Sequence, residues 1–360
     1  MASVKYKHFV YLPLKRSGEV GKGGVIIYNK LDKESVILPG YPSIKRLVLL
    51  SKIRKHFPEG VSVEEKMNGY NVRAVKVGND VVFVTRGGYL CPYTNSRLKL
   101  LYGDSIKEAL SELPKGSFIA GEVVGTENPY VRVKYPEAPY FDYFIFDVFV
   151  KEDGKYKRMG TKDKYEFLER YSLKSVRLMG VFNAEEAPYK VKEIIDKFDE
   201  EGREGVVLKD PQYKRPPAKY TGSYTNIGDI ELGMRYPFDE GRDYLFPRIV
   251  REMFKVFEEE LDNESLKSRY EWLGKAILGP SVESIRKVAN GEALYERFVL
   301  RFPERSDLEW YLEYTRELGI NVKIEDEWIE DGLIVVRAKK FKDSTNVIRS
   351  MLETGQTPLD

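Results

Sequence analysis

The sequence predicts an α+β protein in which antiparallel sheets with interspersed helices give way, near Asp239, to a helical segment and then to a small terminal α+β unit. Three observations predict it. Short apolar or alternating runs bounded by Gly, Pro and Asn recur as far as Thr221, the pattern of strands joined by turns. From Tyr244 to Ala289 the apolar residues fall instead at helical spacing. From Arg297 onward strand and helix patterns return. A chain of 360 residues suits two to four domains, and we divide it into a small β-rich unit with a linking helix (1–58), a principal unit (59–238), a helical unit (239–292) and an α+β unit (293–360).

Taken in order, His8 to Leu12, Gly24 to Tyr28 and Ser35 to Leu38 read as a small antiparallel sheet. Ile44, Leu47, Val48, Leu50, Ile53 and Phe57 follow at helical spacing with Ser43 as N-cap, so a helix is expected there. Ser62 to Lys66, Tyr70 to Val77 and Val81 to Arg86 read as a meander. Thr94 to Leu113 is helical, as one helix or as two broken near Gly103-Asp104. Ser117 to Val124 and the densely aromatic Tyr140 to Val150 are strands, the second apolar on both faces and therefore central. Helices near Asp163 to Tyr171 and Tyr189 to Asp199 precede an apolar strand from Glu204 to Lys209. Later helices are expected at Tyr244 to Leu261, Leu266 to Leu278 and Ser281 to Ala289. A strand (Arg297 to Phe302), a helix (Ser306 to Leu318), a hairpin (Asn321 to Glu325 with Gly332 to Ala338) and a helix (Lys342 to Met351) close the chain.

Composition narrows the chemistry. The single Cys91 excludes an intramolecular disulfide, and with only His8 and His56 beside it leaves no zinc cluster. Any metal must be hard and oxygen-bound. No long uncharged apolar run marks a membrane span, and Met1 to Pro13 lacks a secretory pattern, so a cytoplasmic location is expected. At net charge +2 nothing advertises nucleic acid in bulk, although one groove could still be basic. Abundant Lys and Glu with two glutamines resemble a thermophile's composition.

Lys66, followed by Met67-Asn68-Gly69, is the candidate nucleophile. A lysine attacks only as the neutral amine, and with a pKa near 10.4 roughly one in a few thousand is neutral at pH 7. Such a role needs burial and other cations brought to Lys66 from elsewhere in the chain. Alone, the stretch also describes an ordinary hairpin. Further candidates follow: Arg86 before Gly87-Gly88, Glu122 within an apolar strand, Phe146-Asp147 in the aromatic strand, Glu204 and Lys209 bounding Gly205-Val206-Val207-Leu208, and Lys219. Arg86 and Glu122 could equally be surface charges, Phe146 plain core, and Lys209 and Lys219 solvated strand ends. Asp147, in an apolar strand, needs a cation or donor.

The order and spacing of these residues resemble the covalent nucleotidyltransferases, the superfamily of polynucleotide ligases and mRNA capping enzymes, whose motifs I, Ia, III, IIIa, IV and V all have counterparts between Lys66 and Lys219. Tyr70-Asn71-Val72-Arg73 is similar to RNA ligases, particularly the archaeal ATP-dependent type that circularises RNA. The N-terminal sheet, Tyr224-Thr225-Asn226 and the helical and α+β segments suit that type, so the resemblance extends over essentially the whole chain. It departs at Asn68, where the family usually has aspartate, and at the last motif, where relatives often carry two lysines one residue apart. Here Lys219 is followed by Tyr220, and Lys214 could be the missing cation or there could be none.

The resemblance implies an ATP-grasp-like nucleotidyltransferase core, making 59–238 the adenylyltransferase unit. It implies that Lys66 attacks the α-phosphorus of ATP to form lysyl-AMP. Lys209 and Lys219 would neutralise the phosphate. Asn68, Arg86 and Glu122 would hold the ribose beside the Gly69 turn, Phe146 and Val207 would flank the adenine, and Glu64 would accept from its amino group. Asn71 would contact an RNA 5′-phosphate. Mg2+ or Mn2+ is expected on the triphosphate, with Glu204 acting largely through water and Asp147 and Glu122 as the other available carboxylates. The implied partners are single-stranded RNA with 5′-phosphate and 3′-hydroxyl ends, and a second copy of the chain through residues 239–292. A DNA ligase or capping enzyme would normally follow the last motif with a β-barrel, which the helical pattern after Asp239 does not resemble. A non-catalytic RNA-binding protein on the same fold is the alternative from another class.

Overall fold

A computed structural model describes residues 3–14, 21–240 and 242–357; residues 1–2 and 358–360, the outer ends of the first and last units, together with 15–20 and 241, lie outside the described residues. Val4–Tyr6 (β1), Phe9–Pro13 (β2), Val25–Asn29 (β3) and Glu34–Leu38 (β4) form an antiparallel sheet in sequential order. The helix expected from Ser43 is replaced by Lys45–Arg46 (β5), a 3-10 turn at Leu50–Lys52 and one helical turn at Ile53–His56 (α1). Leu47, Leu50, Ile53 and Phe57 are buried as their spacing requires. The helix fails because β5 pairs in parallel with the strand at Ala218–Thr221, and the Leu47 amide donates to the Lys219 carbonyl at 3.0 Å.

The chain continues through Val61–Lys66 (β6), Tyr70–Val77 (β7), Asp80–Thr85 (β8), Pro92–Glu112 (α2), Phe118–Val124 (β9), Asp142–Glu152 (β10) and Lys155–Arg158 (β11). Thr161–Arg170 (α3), Leu178–Phe182 (β12), Ala187–Glu201 (α4), Gly205–Lys209 (β13), Ala218–Thr221 (β14) and Ser223–Arg235 (α5) follow. These strands build two five-stranded sheets, β11-β10-β9-β7-β8 and β12-β6-β13-β14-β5. The expected meander is therefore half correct. β7 and β8 pair, but β6 and β7 belong to different sheets, so Met67-Asn68-Gly69 crosses from one to the other. Glycine is required at that crossing, because a Cβ on Gly69 would lie 2.1 Å from the Val123 carbonyl oxygen of β9. α2 runs unbroken through Gly103-Asp104. β11 and β12 gave no sequence signal: both are edge strands, half-exposed and without an apolar alternation.

Arg73 joins the N-terminal sheet to the core. Fully buried on β7, its guanidinium donates to the carbonyls of Gly23 and Thr85, each at 2.8 Å, and to that of Pro39.

Beyond α5 lie Arg242–Glu259 (α6), Asn263–Ala289 (α7), Tyr295–Phe302 (β15), Arg305–Glu317 (α8), Val322–Glu330 (β16), Leu333–Phe341 (β17) and Ser344–Thr354 (α9). The two helices expected between Leu266 and Ala289 are one, with Pro280 inside it. Ser281 Oγ donates to the Met234 carbonyl at 3.0 Å, which ties that turn to α5. The terminal sheet, ordered β15-β17-β16, contributes Phe298, Leu300 and Phe302 to the same core cluster as α2 and β7 to β10. No helix among the described residues is long and apolar enough to cross a membrane.

Candidate active site

Between the two five-stranded sheets lies a cleft of about 520 Å³. All the residues singled out from the sequence as site candidates except Asp147 and Lys214 border it: Glu64 and Lys66 on β6, Asn68 and Gly69 in the crossing, Asn71 on β7, Arg86 after β8, Glu122 on β9, Phe146 on β10, Glu204, Val207 and Lys209 at and on β13, and Lys219 on β14. Strand register does the gathering. Lys66 stands opposite Gly205 and Glu64 opposite Val207, which in turn stands opposite Lys219, so alternate residues of three neighbouring strands share one face. On the facing sheet Asn71 is paired with Glu122. A bulge in β10 leaves Phe146 as the extra residue between Ile145, paired with Gly121, and Asp147, paired with Ala120. Its ring, half-buried, meets Tyr41 edge-on at 5.3 Å.

Lys66 Nζ donates to Glu204 Oε2 at 2.6 Å. Glu122 faces the same point. Burial pushes its carboxyl up to about 7, with Glu204 adding repulsion while Lys66 and Arg86 oppose the rise. Lys219 is half-buried and, among the described residues, lacks a carboxylate within ion-pair distance. Burial pulls its ammonium down to about 8, helped by the positive charges of Arg46, Lys66 and Arg86.

Lys209 and Glu64 border the cleft but are each only 1% exposed. Lys209 Nζ donates to the Phe146 carbonyl at 2.6 Å and to Asp147 Oδ1 at 2.9 Å, and is ion-paired with Glu64 Oε2 at 2.6 Å. Burial alone would lower its pKa, but the Asp147 and Glu64 carboxylates outweigh that and hold it above its ordinary value. Glu64 Oε1 accepts from Lys164 at 2.6 Å. Asp147 also accepts from Tyr41 at 2.6 Å and pairs with Arg158 at 3.2 Å. It is thereby withdrawn from the carboxylates available to a metal. Burial would raise its pKa, yet Lys209 and Arg158 hold it at about 2.

Lys164 is a site residue that the sequence reading missed. It stands on the buried face of α3 with Thr161, Phe167 and Leu168, and a lysine at an apolar position of a helical repeat was the available signal. Its ammonium donates to Glu64 and to the Phe146 carbonyl, and burial with the nearby Lys209 charge lowers it to about 8. Arg46, Arg248 and Arg251 were missed too, and all three border the cleft. Lys214, the alternative second cation of the last motif, lies away from it, exposed and 3.4 Å from Glu59. Asn68 departs from the usual aspartate, but its backbone is fixed, the amide donating to Tyr135 Oη at 2.7 Å. No cluster of three or more His, Cys, Asp or Glu capable of holding a metal occurs among the described residues. Glu204 and Glu122 are oxygen donors suited to a hard ion that keeps most of its ligands as phosphate oxygens and water.

Comparison with known proteins places this cleft in a family. Residues 59–221 match the family model for RNA ligase, and residues 232–355 match that described as the Ligase Pab1020 C-terminal region. Solved structures of archaeal ATP-dependent RNA ligase, forms 1 and 2, are each 34% identical, cover 99% and 97% of this chain and 93% and 91% of theirs, and superpose with TM-scores of 0.88 and 0.87. The chain belongs to the archaeal ATP-dependent RNA ligases. An uncharacterised protein of Methanocaldococcus jannaschii is 38% identical over 329 residues, 89% of this ligase and 81% of that protein. A putative ATP-dependent DNA ligase from Aquifex aeolicus is 30% identical, covers 99% of this chain and 96% of its own, and has a TM-score of 0.86. In this ligase the segment after β14 is helical and then α+β, with three helices, α5 to α7, where the sequence had argued against a barrel.

Proposed function

We propose that this ligase joins or circularises RNA by linking a 5′-phosphate to a 3′-hydroxyl at the expense of ATP, through lysyl-AMP on Lys66 and an RNA-adenylate. The observation that carries the reading is Lys66 itself, an amine at a strand end in the cleft, 2.6 Å from a carboxylate and beside cations that lack carboxylate partners among the described residues. Glu204 holds Lys66 in place through this contact, and the ammonium proton leaves to solvent before attack. The freed amine attacks the α-phosphorus, forming the N–P bond as the bond to pyrophosphate breaks. Lys219 neutralises the α-phosphate, and Lys209, held by its own carboxylates, adds positive potential from the floor. Phe146 on one sheet and Val207 on the other enclose the adenine, Glu64 supplies the wall beneath it, and Asn68, Gly69, Arg86 and Glu122 bound the ribose. Bound Mg2+ or Mn2+ would offset charge on the transferring phosphate, with Glu204 and Glu122 as its protein donors.

In the second step an oxygen of the RNA 5′-phosphate attacks the same phosphorus and releases Lys66. Asn71, whose amide oxygen is buried without a hydrogen-bond partner among the described residues, supports this step, since a flip presents its N–H2 to the phosphate. In the third step a 3′-hydroxyl displaces AMP. Incubation with α-labelled ATP alone, then with 5′-phosphorylated single-stranded RNA or DNA, tests the reading. Covalent label followed by sealed or circular RNA is the expected result, and an unlabelled wild-type protein refutes it.

ATP affinity is expected to peak between about pH 7 and 8. Glu122 becomes the stronger acceptor for ribose as it ionises through about 7, and Lys219 loses its charge as pH rises through about 8, so binding weakens above that value. Calorimetric titration from pH 6 to 9.5 should lose its alkaline limb in Lys219→Arg. Persistence of that limb in the variant excludes Lys219 as its source.

The helical unit supports a homodimer. Phe246, Met253 and Phe257 of α6 and Tyr270 and Leu278 of α7 are 60–74% exposed, large apolar side chains that a second copy would cover. Light scattering should report a dimer that Phe257→Asp weakens; a wild-type monomer sinks this part of the proposal. The cytoplasm is the proposed place of action.

A further inference from the structure

The cations of the cleft are not evenly balanced. Lys66 has Glu204, Lys209 has Glu64 and Asp147, and Arg248 has Asp229 at 2.7 Å. Arg46, Lys219 and Arg251 border the same cleft with no carboxylate within ion-pair distance among the described residues. They arrive from three parts of the chain. The parallel register of β5 on β14 sets Arg46 beside Lys219, and Arg46 Nη1 donates to Thr221 Oγ1 at 2.7 Å, which fixes the guanidinium. Arg251 comes from α6, one turn beyond Arg248 and on the same face. Arg248 is pinned against α5 through Asp229 and lies 3.6 Å from the Tyr244 ring, so the turn that carries Arg251 is held in place.

Partly buried like charges without a counterion are costly until an anion enters. Burial and the Arg251 charge lower Arg46 to about 10, and burial and Arg248 lower Arg251 in the same direction. Two forked guanidiniums and one ammonium match a ligand with several phosphate oxygens better than one with a single carboxylate.

Resting on the ligase reading above, the geometry points to a subsite for the β- and γ-phosphates of ATP, formed by Arg46 of the N-terminal segment and Arg251 of α6, with Lys219 at its inner end. When Lys66 takes AMP, the breaking P–O bond leaves its electron pair on pyrophosphate, and these cations stabilise that charge without a proton transfer. Arg46 thus supplies, from a different strand, the second cation that β14 lacks. It also follows that α6 takes part in the first step of the reaction, because an RNA-adenylate carries no β- or γ-phosphate.

Arg46→Ala and Arg251→Ala separate the possibilities when two activities are measured: self-adenylylation over a range of α-labelled ATP concentrations, and sealing of pre-adenylated RNA without ATP. Each variant should lower kcat/KM for ATP about 20-fold or more. That loss should exceed the loss in sealing by about tenfold, and inhibition of self-adenylylation by inorganic pyrophosphate should weaken in parallel. Arg251→Lys, which keeps the charge but not the fork, should recover part of the activity and guards against a folding defect. Equal losses in both assays, an unaltered ATP dependence, or a larger loss in sealing, which would assign these arginines to the RNA backbone, overturns the subsite. Failure of the ligase reading itself looks different, since the wild-type protein would then take no covalent label.

Discussion

Lys66→Ala is expected to take no covalent AMP, with ATP-dependent ligation lowered about 10⁴-fold or more. The alanine has no atom to replace the attacking Nζ, and the neighbouring amines are poorly placed to substitute. Lys209 and Lys164 are buried and held by Glu64, Asp147 and the Phe146 carbonyl. Lys219 is the one rival, since burial and adjacent cations bring it to about 8. Label that survives in Lys66→Ala and disappears in Lys219→Ala would move the nucleophile two strands along the sheet, from β6 to β14. Lys66→Arg should be as inactive as the alanine variant, because a guanidinium stays protonated at any working pH. A matched sealing assay on pre-adenylated RNA locates the defect: residual sealing above the ATP-dependent rate is the expected pattern, because the third step does not use the amine as nucleophile.

Asp147→Ala is expected to be the more damaging change for stability, at about 3–5 kcal/mol, or a fall in Tm of roughly 6 °C or more by calorimetry. The carboxylate touches no proposed ligand. It accepts from Tyr41 and Lys209 and pairs with Arg158, in a cluster where Glu64 and Asp147 face the three cations Lys164, Lys209 and Arg158. Without it, one carboxylate faces three buried cations. The pH dependence follows the depressed pKa. Held at about 2 against an ordinary 3.8, Asp147 contributes stability above the ordinary value and loses it as pH falls through about 2. The Tm difference between wild type and Asp147→Ala should therefore be full at pH 6 and shrink steadily below pH 4. An equal Tm at pH 6 would show that the cluster holds nothing together. ATP binding should weaken as well, because Asp147 adjoins Phe146 in the β10 bulge.

The residues that line the cleft were legible because a proposed phosphoryl transfer constrains residue type, and strand period constrains which residues can share a face. Glu64 and Lys66 two apart on β6, the carboxylate within an apolar β9, and a strand bounded by Glu204 and Lys209 are local patterns that any correct fold must preserve. Most elements were legible for the same reason, from the apolar runs of β7 to β10 to the helical spacing of α6. Two local readings failed where a distant partner competed. The helix expected after Ser43 lost to pairing with β14, and the hairpin expected at Asn68-Gly69 became a crossing because β6 found β13 and β12 instead of β7.

By itself, then, the sequence marked the candidate nucleophile, the strands that carry its neighbours and the family to which they point. Only the tertiary structure decided which charges meet. It placed Lys209 and Glu64 in a shared buried cluster with the unforeseen Lys164, moved Lys214 out of the cleft, and brought Arg46 and Arg251 into it. The reason is physical: a motif records spacing along one strand, whereas the electrostatics of a cleft are set by register between strands and by helices that dock from far along the chain.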